Sequence, residues 1–145
     1  MARKRLLATL LPAMLLALAH PASAEVRILA SPGGPVGPYL ELFAAMRASG
    51  ERVVIDGPCY SACTLVLSVV PGDRICVTRR ALLGFHAAWS RDRRGRTRRE
   101  PEASRIVLSA YPAPVRRWIE RRGGLSSRIL VLRGRELAAM YPRCR

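Results

Sequence analysis

An α/β fold is predicted for this 145-residue chain, and three observations predict it. Strand-like and helix-like segments alternate as strand, helix, strand, helix, strand between residues 26 and 78, the rhythm of right-handed βαβ crossovers around a small, mainly parallel sheet. Turn formers, Gly33-Gly34, Gly50 and Gly57-Pro58, fall between those segments. The length left after a candidate export signal, about 120 residues, suits one domain with a modest core and is too short for two.

The elements follow in order. Val26 to Ala30 alternates apolar and polar residues and runs into Ser31-Pro32-Gly33-Gly34, a strand entering a tight loop. From Pro38 to Ala48, Leu40, Phe43 and Met46 recur at helical spacing, and Gly50 stands where a C-terminal cap wants no Cβ. Arg52 to Asp56 is a second strand, stopped by Gly57-Pro58. Ala62 to Val70 is almost wholly apolar and reads as a short buried helix with Ser61 as its cap. Arg74 to Thr78 and Leu82 to Phe85 are strands, the latter delivering His86. The segment from Ser90 to Arg105 holds six Arg in the nine residues Arg91 to Arg99 and reads as a solvated, mobile loop. Glu102 to Tyr111 and Val115 to Arg122 are helices broken at Pro112 and Pro114, and Ile129 to Leu132 and Arg135 to Tyr141 close the chain as strand and helix.

Residues 1–24 read as a secretory signal peptide. Arg3, Lys4 and Arg5 form a basic head, Leu6 to Ala19 an apolar stretch, and Ala22-Ser23-Ala24 a cleavage site, so the mature chain begins at Glu25. The apolar stretch is interrupted by Pro12 and is shorter than the roughly 20 residues that span a bilayer. The expected location is periplasmic or secreted, with retention as an inner-membrane anchor as the alternative. Residues 25–145 form a single domain in this reading.

The chain carries 25 Lys plus Arg against 10 Asp plus Glu, and removing the three basic residues of the signal leaves 22 against 10, a mature charge near +12. Such charge favours adhesion to anionic membrane surfaces or acidic partners, with the Arg-rich segment as the contact. Specific nucleic-acid binding is not expected, since no recognition module or aromatic interleaving accompanies the charge. Four cysteines, Cys59, Cys63, Cys76 and Cys144, form up to two disulfides in an exported chain, with three pairings open. A zinc site is disfavoured because Cys59 and Cys63 lack a second close Cys or His pair, and no metal or cofactor is expected.

Three motifs carry chemistry together: Ser31-Pro32-Gly33-Gly34 after a strand, Cys59-Tyr60-Ser61-Ala62-Cys63 at a strand-to-helix junction, and Gly84-Phe85-His86 after a further strand. Singly, each is ordinary: a cap, a packed histidine, a turn. Jointly they supply what acyl transfer requires, a hydroxyl nucleophile, an imidazole base and backbone amides for an oxyanion.

On these motifs, residues 28–89 resemble the ClpP peptidase subunit within the ClpP/crotonase superfamily, where a Ser-Pro-Gly-Gly loop, a Ser-small-small helix start and a His about 25 residues later make the site. The resemblance implies a reduced ClpP/crotonase-like fold and a serine hydrolase or peptidase. Ser61 would be the nucleophile, His86, 25 residues on, the base, and the amides of Gly34 and Ala62 the oxyanion hole. Cys-Tyr-Ser-Ala-Cys-Thr followed by Leu-Gly-Phe-His is most similar to exported, uncharacterised ClpP-like bacterial proteins. The family's third residue, an Asp, has no counterpart: Leu130 stands about where it belongs and no Asp follows Asp92. Glu102 or Glu120 are alternative orienting groups, or the site is a dyad. A catalytically inactive binding or assembly module is the competing expectation. The family's usual strand-helix units before the loop are also absent, which implies an open sheet edge and self-association.

Overall fold

Strand β1 (Glu25–Ile28) pairs in parallel with β2 (Arg52–Ile55), Glu25 opposite Arg52, because helix α1 (Val36–Ser49) carries the chain back between them. In the computed structural model, which describes residues 24–145, the signal-peptide reading therefore lies outside the described residues except for Ala24. Helix α1 stops at Gly50, whose φ of 79° is the left-handed conformation anticipated for a C-terminal cap. Phe43 and Met46 are buried as the spacing predicts, whereas Leu40 is 41% exposed. It lies on the outer side of a helix that buries only a narrow stripe.

Past β2 the chain makes β3 (Pro58–Tyr60), a 3-10 turn over Ser61–Leu65 and the short helix α2 (Val66–Val69), then returns as β4 (Ile75–Val77), parallel to β2. The first sheet is thus ordered β1-β2-β4 and is wholly parallel. Its middle strand is fully buried at Val53, Val54 and Ile55, as expected of a parallel strand covered on both faces.

A second sheet is ordered β3-β5-β8, with β5 (Leu82–Phe85) parallel to β3 and antiparallel to β8 (Leu130–Arg133). The stop at Gly57-Pro58 holds for β2, which ends at Ile55, but the separate strand that follows at once is not anticipated from the sequence. Proline is tolerated at the first position of a strand, and Pro58 opens β3. The two sheets are joined at Ser31, whose amide donates to the Pro58 carbonyl at 2.8 Å and whose carbonyl accepts from the Tyr60 amide at 2.9 Å. The extension of β1 thereby runs alongside β3.

The Arg-rich stretch is not the loop expected over 90–105. Strands β6 (Trp89–Arg91) and β7 (Thr97–Arg99) form an antiparallel hairpin, and helix α3 (Pro101–Ala110) begins two residues later. Asp92 closes the hairpin turn by accepting from the amides of Arg94 and Arg96 and from the Arg96 guanidinium at 2.8 Å. Helix α4 (Ala113–Glu120) then places Val115, Trp118 and Ile119 in the core, where Phe85 meets Tyr111 edge-on and tilts against Trp118. Helix α5 (Gly134–Ala138) adds Leu137. Mixed α/β with two small sheets and a hairpin is the fold class of the described residues, and none of their helices is long and apolar enough to cross a membrane.

All four cysteines are paired, Cys59 with Cys63 and Cys76 with Cys144. The second bridge ties the C-terminal segment beside β4, where Val77 donates to the Pro142 carbonyl and accepts from the Cys144 amide. A further clamp sits at the end of β2. Asp56, 7% exposed, accepts from Arg80 at 2.6 and 3.1 Å, from the Thr78 hydroxyl at 2.7 Å and from Arg27 at 3.1 Å, joining β1, β2 and the turn after β4. The forked Arg80 hydrogen bonds, then that from Thr78, hold the Asp56 carboxyl well below the usual carboxylate range.

Two stability predictions follow from these clamps. Because the Cys76–Cys144 link closes 68 residues and Cys59–Cys63 only four, replacing each pair by serine should cost about 4 and about 2 kcal/mol respectively in urea unfolding. For Asp56 the folded pKa is depressed, so its contribution is complete above the unfolded value of about 3.9 and is lost as pH falls toward the folded one. Stability should therefore decline below about pH 4, and Asp56→Asn should lower stability at pH 7 while flattening that acid limb.

Candidate active site

Ser61 is the one non-glycine residue with positive φ among the described residues, at 56°. A side chain in the left-handed region costs about 1–3 kcal/mol and persists only where its surroundings impose it. Here Cys59 and Cys63 are bridged across the turn with Cα atoms 5.3 Å apart. The Thr64 hydroxyl donates to the Ser61 carbonyl at 2.7 Å, and Thr64 Oγ1 lies 2.6 Å from the Tyr111 hydroxyl in a buried pair. Burial pushes the Tyr111 phenol up to about 12, so it stays neutral.

The expectation that Ser61 caps a helix with its side chain is corrected. Ser61 is the first residue of the 3-10 turn, and the cap position before it is taken by Tyr60. The Ser61 side chain projects from a sharp strand-to-helix turn instead. Ala62, the second residue of that turn, has an amide with no acceptor inside the turn, as at any helix start.

The Ser31-Pro32-Gly33-Gly34 loop lies directly against this turn. A Cβ at Gly33, which has φ 81°, would stand 2.5 Å from Ser61 Cβ, 2.5 Å from the Tyr60 carbonyl oxygen and 3.1 Å from the Ala62 nitrogen. Only glycine fits both the space and the backbone conformation there. The loop is anchored at Ser31, whose hydroxyl oxygen lies 2.7 Å from the Tyr39 hydroxyl of α1. A similar approach brings β5 under β3, since a Cβ at Gly84 would meet the Tyr60 ring at 1.9 Å. Gly34, Ser61 and His86 line a common cleft of about 550 Å³. Ser61, Ala62, His86, Val107 and Tyr111 also line a smaller recess.

His86 is half-buried at the end of β5, and its Nδ1 lies 2.7 Å from the Ala87 carbonyl oxygen. A carbonyl only accepts, so Nδ1 carries the proton and Nε2 is left as the basic nitrogen. The peptide that carries this carbonyl is itself fixed, its Ala88 amide donating to the Ser104 hydroxyl at 2.9 Å. None of the carboxylates considered from sequence takes this part. Glu102 pairs with Arg105, Glu120 is exposed at the end of α4, and Leu130 is buried opposite Phe85 in β8. Sequence reasoning missed the Ala87 carbonyl because a backbone acceptor has no side-chain signature. No hydrogen bond joins Ser61 to His86 among the described residues; the two share the cleft. With every cysteine in a disulfide, the turn presents a hydroxyl and no thiol. Compared with protein-family models and with curated proteins, the chain matches none.

The close contact at Gly33 is testable apart from any activity. Gly33→Ala should destabilise by about 2–3 kcal/mol in chemical denaturation, whereas Gly37→Ala, inside α1 with open space around it, should be neutral or stabilising by up to about 1 kcal/mol.

Proposed function

We propose that the protein is an exported serine hydrolase of ClpP-like type, a reduced member of the ClpP/crotonase superfamily that cleaves peptide or ester bonds through an acyl-enzyme on Ser61. The observation that carries this reading is Ser61 held at φ 56° by its flanking disulfide, in one cleft with a histidine whose Nδ1 faces a carbonyl. Two paired disulfides support export, and the edge position of β1 in its sheet supports self-association.

In the proposed reaction the substrate carbonyl lies over Ser61. Nε2 of His86 takes the hydroxyl proton as Oγ forms a bond to the carbonyl carbon, and the amides of Gly34 and Ala62 receive the developing oxyanion. His86 then gives the proton to the leaving amine or alkoxide, and a water, deprotonated by the same nitrogen, releases the acyl group. The Ala87 carbonyl does part of what a triad carboxylate does: it selects the tautomer and fixes the ring. Being uncharged, it stabilises the imidazolium less, so a slow enzyme is expected.

A catalytically inactive binding or assembly module is the second reading, favoured by the lack of a direct Ser61–His86 hydrogen bond among the described residues. A fluorophosphonate probe separates the two. Under oxidising conditions the wild-type chain should be labelled, Ser61→Ala should not be, and His86→Ala should label about 100-fold or more slowly. A wild-type chain that takes no label would overturn the hydrolase reading in favour of the module.

A further inference from the structure

The cleft that holds Ser61 and His86 is walled on its far side by Trp89, Ser90 and Arg91 of the β6–β7 hairpin. The pairing register sets Trp89 opposite Arg99 and Arg91 opposite Thr97, so Trp89, Arg91 and Arg99 share one face of the ribbon. The Arg91 guanidinium sits over the Trp89 ring, 5.7 Å from its centroid. All six strand residues of the hairpin are exposed. Asp92 is the single carboxylate between Trp89 and Arg99, and it is taken up by Arg96 and the turn amides. Glu100, just past Arg99, accepts from the Ser90 hydroxyl at 2.6 Å, so the six arginines from Arg91 to Arg99 face two carboxylates, each already engaged within the hairpin. The aromatic ring and the guanidinium over it lie at the cleft wall itself.

Resting on the hydrolase reading for the site's role but not for its detection, we infer that this cleft selects acidic peptide segments. Substrate carboxylates pair with Arg91 and Arg99 on the hairpin face while the backbone lies along the cleft past Ser61. A guanidinium binds a carboxylate through two parallel N–H donors, and a concave basic wall concentrates anions beside it. The cleft geometry favours a peptide over a lipid surface. Trp89 and Arg91 line a concavity shared with the Gly33-Gly34 loop rather than standing on a convex tip, and that concavity continues past Ser61 and His86.

The test uses the full chain as Ser61→Ala, so binding is read without turnover and its failure is distinct from failure of the fluorophosphonate assay. A fluorescein-labelled peptide of alternating Glu and Ala and the same peptide with Gln for Glu are titrated by anisotropy, with tryptophan emission followed in parallel using unlabelled peptide. The Glu peptide should bind about tenfold tighter or more, weaken steeply with salt, and shift an emission signal that Trp89→Phe removes. Arg91→Glu with Arg99→Glu should abolish the preference, as should the milder Arg91→Gln with Arg99→Gln. Arg128→Glu with Arg135→Glu, which changes net charge equally on exposed positions elsewhere, should preserve it. Equal losses in both charge-reversed proteins would reduce the effect to net charge and overturn the inference. So would equal affinity for the Glu and Gln peptides, or hairpin-dependent binding to phosphatidylglycerol vesicles with no peptide preference.

Discussion

The turn at Ser61 is the constraint on which the rest of the site depends. A residue with a Cβ at φ 56° would relax toward ordinary helical backbone if released. It is prevented from doing so from three directions: the Cys59–Cys63 bridge closes the turn, Thr64 holds the Ser61 carbonyl, and the Gly33 backbone packs against Ser61 Cβ. Each acts on the backbone and leaves the hydroxyl unengaged. Strain of this kind at a hydroxyl beside a histidine is what a nucleophile requires and what a simple helix cap avoids.

The two sheets exist in this arrangement to serve that turn. The Ser31 crossing point carries the end of β1 onto β3, which sets Gly33 against Ser61. Parallel pairing of β3 with β5 ends at Tyr60 opposite Gly84, so the residues that follow, Ser61 and His86, emerge at the same edge. Asp56 fixes the end of β2 two residues before β3 begins, with guanidinium groups from both sides of the sheet. Core packing from α4, through Trp118 and Ile119, holds the second sheet against the first. The function proposed for the chain thus depends on strand ends, as in other parallel α/β architectures, where sites gather at the carboxyl edge of the sheet.

Replacing a carboxylate by the Ala87 carbonyl behind His86 divides two tasks usually performed together. Orientation and tautomer choice need only an acceptor in the right place, and a peptide held by the Ser104 hydroxyl meets that need. Electrostatic support of a protonated ring needs charge, which a carbonyl dipole supplies only in part.

Local chemistry was legible in the sequence wherever a short-range rule decides structure. Apolar runs located β2 and β5, glycine at position 50 marked the end of α1, and the three motifs named Ser61, His86, Gly34 and Ala62, which the fold brings to one turn and one cleft. Composition misled where no apolar face is buried. Arg-Asp-Arg-Arg-Gly-Arg has the make-up of a solvated loop, yet the β6–β7 ribbon is held by backbone pairing and the Asp92 turn, neither of which needs a hydrophobic pattern. β3 went unread because the role of Pro58 as its first residue depends on a partner strand 24 residues away. The sequence by itself determined which residues have the chemistry. Only tertiary structure decided the disulfide pairing, the burial of Leu130 and the carbonyl behind His86, because distance and direction between backbone groups far apart in the chain are not written in any one residue.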